Sequence, residues 1–234
     1  AARPSELRGH GTSQEDSAME LVHVVVRFFE AGGAFMYPIL VVAAVGAAIA
    51  IERYVTLTRI IRKNEGMWSK LQPALASGDF DKARELTSKD DSTVSRLLGL
   101  GLARQGAVRR REDIEIAMEE GMMEIIPQLE KRTAYVAVGA NIATLLGLLG
   151  TIIGLIQGFT AVGNANPAEK ADLLSASISV AMNTTAFGLI VAIPLLVTHS
   201  VLTAKTGQIV NSLEMASVKA LNVITSLAKR QVTA

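Results

Sequence analysis

The sequence predicts an all-α membrane protein with three spanning helices whose ends continue as long helices into the cytoplasm. The first reason is composition: of 234 residues, 50% are apolar, 19% charged and 4% aromatic, with a mean hydropathy of +0.34. The second is the placement of charge. Ala31 to Ile51, Thr133 to Ala168 and Leu173 to Ala204 contain no Asp, Glu, Lys or Arg over 21, 36 and 32 residues. A hydrocarbon core of about 30 Å needs about 20 helical residues, and no backbone polar group can stay unpaired in lipid. Helices in a soluble core rarely exceed about 20 residues and keep a polar stripe, which these runs lack. The third is helical spacing of apolar residues in the polar regions between and after these runs.

The same composition narrows the chemistry. Lys and Arg number 23 against 22 Asp and Glu, so a net charge of +1 leaves no electrostatic footprint for nucleic acid. The chain has no cysteine, which excludes a disulfide framework, a thiolate metal site, a Cys nucleophile and CxxC redox chemistry. Histidines stand only at positions 10, 23 and 199, too scattered for a zinc site. The long polar loop holds no Gly-rich phosphate loop, Ser/His/Asp arrangement or DxD cluster. No catalytic residue, cofactor or resident metal is expected, and an enzyme is the least favoured class.

Taken in order, residues 1–33 form an outer segment in which Met19 to Phe29 predicts a short helix in the membrane interface before Gly32 and Gly33, with a simple extension of the first span as the equal alternative. The first residue is Ala rather than Met, and a cleaved signal peptide would suit an outside N-terminus. Residues 34–57 are the first spanning helix and 58–132 a helical cytoplasmic loop. Within that loop Ser77-Gly78-Asp79 and Asp90-Asp91-Ser92 separate short amphipathic helices. Ile114, Met118, Met122, Ile125 and Leu129 then form a helical stripe that runs toward the second span, residues 133–163. One helix of about 50 residues, about 75 Å long, is expected there, bent where Pro127 lacks the amide that would reach Met123. Asn164, Asn166 and Pro167 punctuate a turn over 164–171, and 172–203 is the third span. The tail, 204–234, carries Ile209, Leu213, Ala216, Ala220, Val223 and Leu227 in an a/d seam that asks for another copy or the long loop helix as partner.

Basic residues near the spans orient the chain. Arg53, Arg59, Arg62 and Lys63 follow the first span, Lys131 and Arg132 precede the second and Lys205 follows the third, whereas the turn has only Lys170. This puts the N-terminus outside and the loop and tail in the cytoplasm. Arg109-Arg110-Arg111 reads as a solvated helix start or a contact with lipid headgroups.

The spans themselves carry the functional information. Gly139, Ala143, Gly147, Gly150, Gly154 and Gly158 form one stripe of small residues, with Thr144 and Thr151 beside it. Such stripes let helix backbones approach, which is what holds helices together in lipid. In the third span Ser177, Ala181, Thr184, Thr185, Gly188 and Ala192 form a second small, hydroxyl-bearing face, with Ser175, Ser179 and Asn183 adjoining, before Pro194 kinks the helix. A single hydroxyl in such a helix commonly bonds to its own i−4 carbonyl, but several on two faces of one hairpin would line a narrow wet or ion-contacting path. Neither long span has an ionisable residue in its central part; His199 lies toward the cytoplasmic end of the third and Glu52 at the rim of the first. As a lone histidine, His199 reads as an interfacial packing residue. A proton path needs a titratable group at depth, so the missing carboxylate is expected from a partner.

Two motifs carry a family resemblance. Leu145-Leu146-Gly147-Leu148-Leu149-Gly150-Thr151-Ile152-Ile153-Gly154, with Phe159, resembles the second-span signature of the MotA/TolQ/ExbB proton-channel family. Thr184-Thr185-Ala186-Phe187-Gly188-Leu189-Ile190-Val191-Ala192-Ile193-Pro194 resembles its third-span signature. Ile51-Glu52-Arg53 and Gly78-Asp79-Phe80 with Ala83 are also similar to it, and three spans favour the ExbB/TolQ branch over the MotA branch.

The resemblance implies a bacterial inner-membrane channel or motor subunit, a homopentamer around a single-span partner of the ExbD/TolR type whose membrane Asp carries the proton. Thr151 and Thr185 match the family's pore threonines, with Thr184 and Ser177 beside them on the ion pathway. Gly147, Gly150, Gly154, Gly188 and Pro194 are the expected helix-packing residues. The transported ion would be H+, with Na+ as the alternative, because Thr184-Thr185 also resembles the sodium-driven stators. A TonB-like protein and membrane lipid are further expected partners, and the process served would be TonB-type transport or a Tol or gliding-type envelope function. Where several relatives of this branch have a Glu five residues before the second threonine, this chain has Val180. The competing readings are a non-conducting scaffold, whose small faces only pack, and a small solute transporter, disfavoured by the absence of internal repeats.

Overall fold

The computed structural model describes residues 23, 26, 28, 29, 32–104 and 111–233, with side chains as far as residue 226. Every regular element among the described residues is an α-helix. In chain order they are α1 (Met36–Ser77), α2 (Phe80–Ser88), α3 (Thr93–Arg104), α4 (Arg111–Glu130), α5 (Thr133–Asn164) and α6 (Lys170–Thr233). Three helical stretches, beginning at Met36, Arg111 and Lys170, are long and apolar enough to cross a membrane. The helix expected over Met19–Phe29 lies outside the described residues apart from His23, Val26, Phe28 and Phe29.

The chain forms two compact units, one of residues 1–46 with 138–196 and one of 47–137 with 197–234. In the first, the buried apolar residues include Met36, Ile39, Ala140, Ala143, Ala181, Ala192 and Leu195. Small side chains dominate that set because its helices approach closely. In the second, Leu57, Leu71, Leu97, Leu98, Leu102, Met118, Ile125, Leu202, Ile209 and Leu213 build an ordinary leucine-rich core.

The helices continue beyond the spans. α1 runs 20 residues past residue 57, where the first span is expected to end, and stops at Ser77, where Gly78 takes a φ of 76° that other residues rarely adopt. The Asp79 carboxylate then accepts the Lys82 amide at 3.1 Å and caps α2. α3 opens at the Asp90-Asp91-Ser92 signal. The Ser92 hydroxyl accepts the Ser95 amide at 3.2 Å, and the Asp90 carboxylate accepts from the Ser92 amide at 3.0 Å and the Ser95 hydroxyl at 2.9 Å. Asn64 of α1 reaches this start: its amide nitrogen donates to Thr93 Oγ1 at 2.7 Å and its oxygen accepts the Val94 amide at 3.3 Å. Beside it Lys63 donates to Asp91 at 2.8 Å.

The single helix expected from Glu112 into the second span is two helices, α4 and α5, separated at Lys131 and Arg132. Pro127 sits inside α4, and Arg132 turns the chain with a φ of 68°. The amide missing at Pro127 weakens the last turn of α4, and the helix yields one turn later. The break brings the Arg132 guanidinium to 4.0 Å from Glu52, which is also bonded to Arg53 at 2.9 and 3.0 Å. The third span and tail are one helix of 64 residues, about 96 Å at 1.5 Å per residue, with Pro194 inside it.

The tail seam finds its partner within the chain. Ile209, Leu213, Ala216 and Ala220 are buried together with Leu221 and Ile224, and the Ser217 hydroxyl meets Met118 Sδ at 3.5 Å. The Lys219 ammonium lies 5.9 Å from the centroid of Trp68, and Arg111 donates to Asn222 at 3.4 Å. Arg111 heads α4, exposed and near Glu115 at 3.9 Å, while Arg109 and Arg110 lie outside the described residues.

The α3 start sets a pH response. The Asp91 carboxyl is held below its ordinary value by its hydrogen bond to Lys63. Burial raises that of Asp90, but the hydrogen bonds from Ser92 and Ser95 outweigh it and the net shift is also downward. Carboxyls depressed in the fold contribute stability above their unfolded pKa of about 3.9 and lose it as pH falls through the folded value. The protection factors of the first α3 amides are therefore expected to stay flat between pH 5 and 8 and to fall only below about pH 4. Asp90→Asn with Asp91→Asn should remove that acid step.

Candidate functional site

The contact between α5 and α6 is made backbone against backbone. A Cβ placed on Gly188 would lie 2.7 Å from the Ala143 carbonyl oxygen and 3.1 Å from Gly147 Cα. One on Gly147 would lie 3.3 Å from both the Thr184 oxygen and Thr185 Cα. Farther along, Gly154 faces Ala181 and Gly158 faces Ser177, where an added Cβ would come within 3.3 and 2.5 Å of the opposing Cβ atoms. These pairs step along two antiparallel helices joined by the turn at 165–169, where the Glu169 amide donates to Asn166 at 3.0 Å. Gly150 instead faces Thr184 and Phe35. Pro194 lies on the exposed side of α6, and buried Ala192 and Leu195 flank it. Leu195 packs against Gly46, whose added Cβ would lie 2.9 Å from its Cδ1.

This approach brings two hydroxyls together. Thr151 on α5 and Thr185 on α6 are half-buried and their hydroxyl oxygens are hydrogen-bonded to each other. Thr185 also donates to the Gly147 carbonyl at 3.0 Å, while Thr151 reaches the Gly147 and Ala181 carbonyls, each at 3.2 Å. A hydroxyl has one hydrogen and two lone pairs. Two hydrogens thus have acceptors inside the hairpin, and what the pair has left to offer is lone pairs. Such a cluster accepts from a donor, such as a protonated carboxyl, or coordinates a cation. An ionised carboxylate has no hydrogen to give it and must break an internal bond to be received.

The other hydroxyls do not join this cluster. Thr184, expected on the ion path beside Thr185, is 1% exposed and donates to the Gly32 carbonyl at 2.6 Å and to its own i−4 partner Val180 at 2.9 Å. Ser177 donates to Leu173 at 2.9 Å and stands two turns from Thr185, about 12 Å along the axis. Thr144 is exposed and bonded to Ala140 at 3.1 Å. Asn183 is half-buried, and Ser175 and Ser179 are exposed. The Val180 side chain packs at Gly33, its Cγ1 3.2 Å from an added Cβ there. His199, Glu130, Thr133 and Thr206 line an open cavity of about 420 Å³ in the second unit, with the Thr133 and Thr206 hydroxyls buried. Among the described residues no His/Cys/Asp/Glu group is arranged for a metal ion.

Three apolar helices and a hydroxyl pair set into a glycine contact define a polytopic membrane protein with two hydrogen-bonded hydroxyls between two of its helices. The chain belongs to the MotA/TolQ/ExbB proton channel family, which it matches over residues 89–215. With its three long apolar helices, this family membership makes it an inner-membrane protein. It is 27% identical over 202 residues to a biopolymer transport protein ExbB homolog of Methanothermobacter thermautotrophicus, covering 86% of this chain and 70% of that protein. It is 30% identical over 111 residues to the biopolymer transport protein ExbB of Aquifex aeolicus, 47% of this chain and 72% of that protein. It is also 30% identical over 115 residues to the Tol-Pal system protein TolQ of Haemophilus influenzae, 49% and 48% of the two chains.

The helix contact makes a direct prediction. Gly188→Ala forces its Cβ into backbone and should cost about 1–3 kcal/mol of hairpin stability. Gly207→Ala, at a glycine with nothing within 4 Å, should gain up to about 1 kcal/mol of helix propensity. Denaturation of the two variants in detergent, followed by circular dichroism, checks the opposite signs.

Proposed function

We propose that this chain is an ion-channel and motor subunit that, as an oligomer around a single-span partner of the ExbD/TolR type, uses the proton motive force to energise a cell-envelope process. The observation that carries the reading is the Thr151–Thr185 pair with both hydroxyl hydrogens engaged inside the hairpin. The partner's membrane Asp, when protonated, donates to this pair. When ionised it is an acceptor facing acceptors, and it is driven to another environment. Protonation thereby changes the preferred position of the partner, and ion flow becomes movement. The family's pentameric ring, with an outside N-terminus and a cytoplasmic loop and tail, is the assembly this requires.

Features of this chain support a borrowed carboxylate. The spans hold no acid of their own at depth, and Glu52 at the rim is taken up by Arg53, Thr56 and Arg132. In α6, Val180 is tucked against the Gly33 turn. Sodium is the alternative ion, because two hydroxyl and two carbonyl oxygens within one turn are also hard ligands for a cation. TonB-type transport is the envelope process this reading favours, and Tol or gliding functions are the others.

Ion flux into liposomes holding this chain, with and without its co-purified single-span partner, tests the reading under a proton and then a sodium gradient. Flux is expected only with the partner present. It should be lost in Thr151→Ala and in Thr185→Ala while the oligomer still assembles. Normal flux in either variant contradicts the assignment, and loss of assembly in place of flux favours a scaffold.

A further inference from the structure

The chain approaches α1 through an elbow rather than a straight helix. The Gly32 amide donates to Phe29 at 3.2 Å, Gly33 takes a φ of 71°, and the Met36 amide donates back to Gly33 at 3.2 Å. An interrupted backbone among apolar helices needs partners for its freed carbonyls. The Gly32 carbonyl finds one in the buried Thr184 hydroxyl at 2.6 Å. The elbow does not sit at the lip of the hairpin: Thr184 is 14 residues into α6, about 21 Å from its start. Two aromatic contacts extend the attachment. The rings of Phe28 and Phe29 meet Phe187 edge-on, with centroids 6.2 and 5.0 Å away.

The residues that meet the elbow have helical spacing. Val180, Thr184 and Phe187 stand at i, i+4 and i+7 on α6 and contact Gly33, Gly32 and the two Phe rings respectively. Each is one residue before a member of the set Ala181, Thr185 and Gly188, which contacts α5. Neighbouring residues of an α-helix lie about 100° apart around its axis. Two adjacent faces of α6 are therefore gripped, one by α5 and one by the elbow, with Thr184 at their border, its methyl at Gly150 and its hydroxyl at Gly32. A helix held along one line can roll about it; one held along two cannot.

We propose that the elbow, Phe28 and Phe29 with residues 32–35, is a strap that fixes the roll of α6 and so the direction in which Thr185 presents its lone pairs. Thr184 and Phe187 are positioning residues acting through Thr185. The inference rests on the reading of Thr151 and Thr185 as the ion contact, and it assigns Thr184 a task other than touching the ion.

The absence of native cysteine provides the test. Thr185→Cys in the full chain, reconstituted in nanodiscs, serves as a reporter whose reaction rate with a small methanethiosulfonate reads the exposure of position 185. Adding Thr184→Val should raise that rate about tenfold, the equilibrium shift expected from one lost buried hydrogen bond. Adding Thr184→Ser, which keeps the hydroxyl, should return it to the parent's value. Phe28→Leu with Phe29→Leu, which leave α6 intact, should raise it as well and cover the case in which Thr184→Val fails to fold. An unchanged rate in the folded Thr184→Val and Phe→Leu chains, or a rate that Ser does not restore, overturns the strap. Ion flux plays no part in this measurement, so failure of the strap and failure of the ion-contact reading are separate results.

Discussion

Because Gly147 and Gly188 have no side chains, α5 and α6 meet backbone to backbone, and the Thr151–Thr185 pair depends on that approach. In water, packing of this kind would be reinforced by the hydrophobic effect. In lipid it rests on van der Waals contact and on hydrogen bonds across the interface. The hydroxyls of Thr151 and Thr185 can share hydrogen bonds, and reach carbonyls on both helices, only at this separation. Packing and chemistry are therefore one device: the glycines set the spacing, and the spacing removes the hydroxyl hydrogens from the reach of a ligand.

The second unit answers a different demand. Its helices lie among charges, and caps and side-chain bridges locate them, while Gly101 and Gly121 make room for Met118 and Leu100 of the facing helix. Asn64 satisfies the start of α3 from α1, and Lys205 donates to Thr58 at 2.9 Å while lying 4.3 Å from the centroid of Tyr54. The long helices α1 and α6 run through both units, so one continuous element has a small-residue face in one stretch and a leucine-rich face in another. The exposed ion pairs of this unit, such as Lys89–Glu85 and Arg96–Glu124, add little stability individually. Buried Leu and Met side chains supply most of it.

Signals whose physics is local were legible in the sequence. The helix stops at Ser77-Gly78-Asp79 and Asp90-Asp91-Ser92, the turn at Asn164 to Pro167 and the glycine stripe of α5 all follow from residue type and spacing. Features set by distant partners were not. Arg132 gives no warning of a positive φ, because the break belongs to the weakened turn after Pro127 and to the ion pair with Glu52. Thr184 and Thr185 are adjacent hydroxyls of the same type, and what separates them is a carbonyl 152 residues away. A backbone acceptor has no side-chain signature, so the Gly32 elbow was invisible from the motif it supports. The tail seam announced a need for a partner and offered another copy or the long loop helix; α4 of the same chain meets it, and α1, which the seam did not announce, joins through Trp68.

The central claim is that Thr151 and Thr185 act as one acceptor site. A double-mutant cycle of Thr151→Val and Thr185→Val, read as the rate of proton-driven flux through the partner-bound oligomer, tests it most directly. A shared site predicts strong non-additivity: each single substitution loses nearly as much as the pair, with a coupling of about 1 kcal/mol or more. Losses that simply add would mean that the two hydroxyls work independently, and would contradict the account.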